Sequence, residues 1–201
     1  MEWNEGILKY AKEHKECTVY GVAFPDEDGR EGLNLIVPNE YGTILMQQEV
    51  HDYGRGISKQ ACAMMKIVLN QSYTLSVKNQ NLVKKGWDMI TKSYVHIQNE
   101  DFNRKFAVTT NHPEFTKLAL SELEWMQYML EHKNLTVFVS PVEEKGLDHT
   151  IKVYYNTKLF DDFFGTGEEN KDMVEQMIEA AKRTHYMLSR YKIEDNEVVA
   201  D

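Results

Sequence analysis

Residues 121–155 decide the fold class, and they read SELEWMQYMLEHKNLTVFVSPVEEKGLDHTIKVYY. Ser121 and Glu124 have the spacing of a capping box, which predicts a helix that begins there and stops near Lys133. Two alternating apolar runs then predict a β-hairpin around a turn at 143–148: Leu135, Val137 and Val139, and Ile151, Val153 and Tyr155. Helices between clustered antiparallel strands are typical of an α+β protein.

The same patterns extend outward from this stretch. Apolar residues at helical spacing predict helices over 3–14, 57–69 and 171–191. Alternation and β-forming residues predict strands in six further stretches, around residues 17–24, 33–37, 43–47, 72–77, 94–97 and 104–109. We therefore expect an α+β fold in which antiparallel sheet packs with about four to five helices, the last of them long.

The chain of 201 residues is expected to form a single α+β domain, since domains commonly have about 100–200 residues. A possible subdivision separates an N-terminal αββ unit, residues 1–50, from a main unit, residues 57–193. The tail from Glu194 is expected to fray. We expect no internal repeat.

Composition excludes several classes of function. With 23 basic and 32 acidic residues, the chain has a net charge of −9, which disfavours nucleic acid and anionic membrane surfaces as partners. Cys17 and Cys62 lie in apolar stretches without metal-ligand spacing. Neither a secretion signal nor an apolar run of about 20 residues is evident, which favours the cytoplasm. No metal or cofactor motif is recognised.

Residues 100–121 carry a family resemblance. They read EDFNRKFAVTTNHPEFTKLALS, with Phe102, Arg104, Lys105, Phe106 and Val108 in an F-x-[KR]-[KR]-F-x-V pattern. This resembles uncharacterised bacterial and archaeal domains of unknown function in which such a strand precedes a capped helix. Over residues 97–165 the resemblance implies the fold and supplies no activity and no catalytic residues.

One polar cluster is a candidate catalytic site. Glu49, His51, Asp52 and Arg55 lie together directly before the helix expected at residue 57. A His beside carboxylates at a helix N-terminus is an arrangement in which an acid–base site can form. The alternative function is therefore a small hydrolase with its site near residues 49–56.

The favoured function is a non-enzymatic protein-interaction module, possibly a homodimer. The chain shows no recognised catalytic motif, and it has ten methionines, which suit adaptable binding surfaces. Met173, Met177 and Met187 form a stripe on the C-terminal helix near Tyr191. We expect part of this stripe to lie outside the core and to contact a protein partner or a second copy.

Overall fold

The computed structural model describes residues 2–21, 32–52, 57–80, 94–143, 146–156, 167–193 and 198–200. Side chains at 2, 50–52, 57–59, 167–169 and 198–200 lie outside this description. Five helices fall in the described ranges: α1 Glu2–Glu13, α2 Glu100–Lys105, α3 Pro113–Ala119, α4 Leu123–Glu131 and α5 Gly167–Ser189. None of them is long and apolar enough to cross a membrane.

The strands of the described chain form two antiparallel sheets. Eight belong to the main sheet: β1 Thr18–Gly21, β2 Leu33–Asn39, β3 Gly42–Asp52, β4 Ile57–Val68, β5 Leu75–Asn79, β6 Phe106–Thr110, β7 Leu135–Pro141 and β8 Asp148–Tyr155. Their spatial order is β1-β2-β3-β4-β8-β7-β5-β6. A second, two-stranded sheet joins β9 Tyr191–Ile193 to β10 Val198–Ala200.

The core lies on one face of the main sheet, which we call the inner face. Successive side chains of a strand point to opposite faces, so each strand contributes every second residue to it. One inner row crosses six strands in register: Val19, Leu35, Met46, Ala63, Val153 and Val137. Helices α1 and α5 supply buried residues such as Ile7 and Met177 to the same cluster.

The α+β class expected from the sequence is confirmed, including the antiparallel sheet and the long C-terminal helix. The β7–β8 hairpin pairs Val137 with Val153 and Val139 with Ile151, as alternation predicted. A single hydrophobic cluster extends from Trp3 to Ile193 and includes residues from both parts of the possible subdivision. In the tail, Val198–Ala200 pair with Tyr191–Ile193, and the fraying expected from Glu194 onward stays a prediction.

The helix predicted over 57–69 is wrong, because Ile57–Val68 form strand β4. Apolar residues at both helical and alternate spacing occur here, and alanine and methionine favour helices. Long-range pairing decides the outcome: β4 pairs with β3 on one side and with β8 on the other. On the inner face Ala61, Ala63 and Met65 are all buried.

Smaller local predictions also differ from the structure. Glu122, not Ser121, is the N-cap of α4 and makes no side-chain cap, while Ser121 Oγ donates to the Leu118 carbonyl. The strand expected over 104–109 begins only at Phe106, because Asn99 caps helix α2 by accepting from Phe102 N at 2.9 Å. The stretch 94–97 is not a strand.

Candidate functional site: the outer sheet face

The second face of the main sheet, here the outer sheet face, carries side chains that the core does not use. Among the described residues every buried apolar side chain joins one cluster except Cys62 and Ala107, and both of these lie on the outer face. Large outer-face side chains are only half-buried: Ile36, Leu45, Met64, Phe138 and Tyr154. None of these five side chains belongs to the hydrophobic cluster that includes residues of α1 and α5.

Aromatic contacts organise one side of this face. Phe138 on β7 and Tyr154 on β8 pack edge to face, with ring centroids 5.6 Å apart and planes at 83°. The Lys78 ammonium lies 5.0 Å from the centroid of the Phe138 ring, in cation–π geometry. The aliphatic part of Lys78 and the two rings therefore form a continuous amphipathic surface.

A polar network lies beside these rings. The Glu49 carboxylate accepts from Lys152 Nζ at 2.8 Å and from the Tyr154 hydroxyl at 2.7 Å, one contact on each oxygen. Glu49 and Lys152 are respectively 16% and 34% exposed, so the pair is shielded from much of the solvent. The hydrogen bond that Lys152 donates to Glu49 raises the pKa of Lys152, which therefore stays charged.

The thiol and the phenol of this network hold their protons at neutral pH. Burial, followed by the charge of Glu49, raises the pKa of the fully buried Cys62 thiol to about 12. Burial and the hydrogen bond to Glu49 also raise the pKa of Tyr154. Both groups are neutral near pH 7, so neither is an activated nucleophile.

Amide side chains extend the network along the sheet. Gln60 Nε2 donates to Asn156 Oδ1 at 3.1 Å, and Asn156 Nδ2 donates to Thr136 Oγ1. Thr136 is only 4% exposed, so its hydroxyl needs this partner. The result is a hydrogen-bonded polar strip next to an apolar and aromatic one.

The four candidate catalytic residues are not assembled into a described site. Glu49 belongs to the network above, with both oxygens engaged. The backbones of His51 and Asp52 lie opposite Ser58 and Ile57 at the end of the β3–β4 pair, and their side chains lie outside the described residues, as does Arg55. The helix that should follow them is a strand, so the expected helix N-terminus is absent. The hydrolase hypothesis stays a prediction.

The methionine stripe of the last helix is buried in the core. Met173, Met177 and Met187 have exposures of 4%, 0% and 0% and hold α5 against the sheet. Tyr191 is half-buried in β9 and packs against the same cluster. The three methionines are therefore core residues, contrary to the expectation that part of the stripe lies outside the core, and a partner-binding role of Tyr191 stays a prediction.

The structure also shows a repeat that we did not recognise in the sequence. In strand register and turn hydrogen bonds, the described parts of residues 7–37, the first repeat, correspond to the described parts of residues 125–155, the second repeat, at a constant offset of 118 positions. Between 10 and 19 six positions are identical in both: Tyr10 and Tyr128, Glu13 and Glu131, His14 and His132, Lys15 and Lys133, Thr18 and Thr136, and Val19 and Val137. Each repeat is a helix followed by a two-stranded hairpin.

The turn hydrogen bonds are the same in the described parts of the two repeats, whereas the Tyr and His ring planes meet at 18° in the first repeat and at 49° in the second. His14 N donates to Tyr10 O and Cys17 N to His14 O, both at 3.0 Å. The bonds at the matching positions, His132 to Tyr128 and Leu135 to His132, are also 3.0 Å. The centroids of the Tyr and His rings lie 4.1 Å apart in the first repeat and 4.4 Å apart in the second. The repeat therefore preserves a complete helix-to-strand turn.

The strand registers relate the repeats by an approximate two-fold axis. Val19 pairs with Leu35 in the first hairpin and Val137 with Val153 in the second, again 118 positions apart. Between the hairpins lies the β3–β4 pair, in which Met46 faces Ala63. An axis perpendicular to the sheet at this pair exchanges β1 with β7, β2 with β8 and β3 with β4.

A cleft of about 480 Å³ lies on the helical side between the two Tyr–His pairs, with α5 as its floor. Ion pairs of the chain itself occupy its sides. Lys171 Nζ lies 2.6 Å from Glu13 and 3.5 Å from Glu175, which links α1 to α5. Arg183 donates to Glu179 at 2.7 Å and stacks over the Tyr128 ring at 4.8 Å. We interpret these contacts around the cleft as interactions that hold α1 and α4 against α5.

No model of a known protein family matches the chain. No curated protein is similar to it in sequence. The resemblance of residues 97–165 to an uncharacterised domain therefore stays a prediction. Among the described residues, no group of three or more His, Cys, Asp or Glu side chains could hold a metal ion.

Proposed function

We propose that this protein is a non-enzymatic protein-interaction module that binds its partner through the outer sheet face. The observation that carries the proposal is a broad sheet face whose apolar and aromatic side chains are half-buried and belong to no core cluster. Contiguous apolar patches on a protein surface commonly mark sites of interaction. The neutral thiol and phenol beside the engaged Glu49 carboxylate support binding over catalysis.

Charge defines the chemistry of the partner. Five charged side chains are described on the outer face, Lys66, Lys78 and Lys152 and the carboxylates Glu49 and Asp148. The charges of these three lysines and two carboxylates nearly cancel, whereas the whole chain has a net charge of −9. A surface without strong charge selects a partner that is itself flat, apolar and nearly neutral.

Site-specific photo-cross-linking in the cell of origin tests this proposal. A photo-reactive phenylalanine at Tyr20, which is 44% exposed, or at Phe138 probes the outer face. The matched controls are Leu8 and Leu123, which are 52% and 68% exposed on helices α1 and α4. We expect a discrete cross-linked product from the outer-face positions and none from the controls. Absence of a product at both outer-face positions would overturn the proposal.

A further inference from the structure

The two-fold relation between the repeats extends to the outer sheet face. Thr18 and Thr136 are identical there, and Tyr20 matches the aromatic Phe138. Ile36 matches Tyr154, and at the centre Leu45 and Gln47 on β3 match Cys62 and Met64 on β4. Large side chains therefore occur at equivalent places on both sides of the axis at two of these pairs, Tyr20 with Phe138 and Ile36 with Tyr154.

From this symmetry we infer that the partner of the outer sheet face is a second copy of this chain. The inference rests on the proposed function, since it names the partner of the same surface. In a two-fold dimer the same patch of both chains meets itself, so each contact occurs twice. The approximate two-fold axis divides each outer sheet face into two related halves. A favourable contact that one half makes with the second copy can therefore be repeated by the other half. An asymmetric partner needs two different surfaces to fit two similar halves.

Charge and area are consistent with a face-to-face dimer. Two chains of net charge −9 repel each other, and a nearly neutral face gives the least repulsion on contact. Six strands about 4.8 Å apart give the outer face a width of roughly 29 Å across the strands. With a length of about 20 Å along the strands, its flat area is roughly 600 Å². Side-chain relief increases that area toward the ~800 Å² per partner of a standard interface.

Light scattering on the purified full chain tests directly whether it forms a dimer. We expect a mass of about 47 kDa, twice the 23.5 kDa of the chain. Tyr20→Arg and Phe138→Arg lie at matching positions, so each is expected to weaken the dimer at least tenfold, and the double variant more than either. Leu123→Arg on the helical side is the control and should leave the dimer unchanged.

The outcomes separate this inference from the proposed function. A monomer at about 100 μM, a dimer indifferent to both arginines, or a dimer sensitive to only one would overturn the inference. A cross-link from the outer face to a different protein would also overturn it while keeping the proposed function. Circular dichroism checks that each variant folds. If Phe138→Arg does not fold, Ser140→Arg replaces it, because Ser140 is exposed on the same face.

Discussion

The two repeats have the same turn and the same hairpin register, yet their surroundings differ. In the first repeat β1 is the edge strand of the sheet, whereas β7 of the second repeat lies between β8 and β5. Thr18 is exposed and Val19 half-buried, while Thr136 and Val137 have exposures of 4% and 0%. Local sequence therefore determines the shape of the unit, and neighbouring strands determine how much each residue contributes to stability.

The largest expected difference between the repeats is at the paired valines. Val137→Ala removes two buried carbons and leaves a cavity, which should lower the free energy of unfolding by about 2 kcal/mol. Val19→Ala, at an edge that is already partly solvated, should lower it by less than about 1 kcal/mol. Urea denaturation of both variants measures the difference. Equal losses would contradict the view that the neighbouring strands set these energies.

A smaller difference is expected at the paired threonines. Thr136→Val takes away the acceptor of Asn156 Nδ2 in a buried setting, which should reduce stability by about 1 kcal/mol. Directly after the first repeat, the position 118 residues before Asn156 is Pro38, which has no such donor. Thr18→Val should therefore stay within about 0.5 kcal/mol of the wild type. Thermal unfolding of the two variants side by side provides the measurement, and a larger effect at Thr18 would reverse this interpretation.

The smallest effect concerns the paired tyrosines and depends on pH. Burial raises the pKa of Tyr10 to about 12 and also raises that of Tyr128. Since the folded chain holds the phenol proton more tightly, this stability is complete below pH ~10 and is lost as the pH rises through ~12. Tyr10→Phe and Tyr128→Phe should each flatten the alkaline fall in melting temperature.

At pH 7 the two phenylalanine variants should differ slightly. The Tyr128 hydroxyl donates to the Gln176 carbonyl at 3.0 Å, so Tyr128→Phe loses a half-buried hydrogen bond worth about 1 kcal/mol or less. No hydroxyl partner of Tyr10 is described, and Tyr10→Phe should be nearly neutral. Melting curves at pH 7 and pH 11 distinguish the two effects. An unchanged alkaline slope in both variants would contradict the raised pKa values.

Local pattern was sufficient for much of the fold. Helix α1, helix α5 and the β7–β8 hairpin follow from periodicity, because each buries one regular face of its own sequence. Strand β4 was not predictable in this way, since Ala61, Met64 and Met65 fit a helix as well as a strand. Its pairing with β8 depends on residues about 80 positions away, which a local window does not contain.

The candidate site was harder to predict than the fold. The outer face exists only once β3, β4, β8 and β7 are side by side, and the sequence separates Glu49 from Lys152 and Tyr154 by about a hundred residues. A methionine stripe has the same period whether it faces the core or a partner, so Met177 was assigned to the wrong side. The repeat could have been predicted from the sequence, because Tyr-x-x-Glu-His-Lys-x-x-Thr-Val occurs twice in the chain.

The central place of β4 also has a consequence for how the chain folds. Asp52 meets Ile57 across a short connection, whereas Val68 meets Asp148 only after 80 further positions. At about 5–20 residues per second of synthesis, β8 follows β4 on the order of ten seconds later. For that time β4 is an unpaired edge, the kind of strand that associates with other chains. Pulsed hydrogen exchange during refolding should protect β3 and β4 before β8, and simultaneous protection would show that the sheet closes in one step.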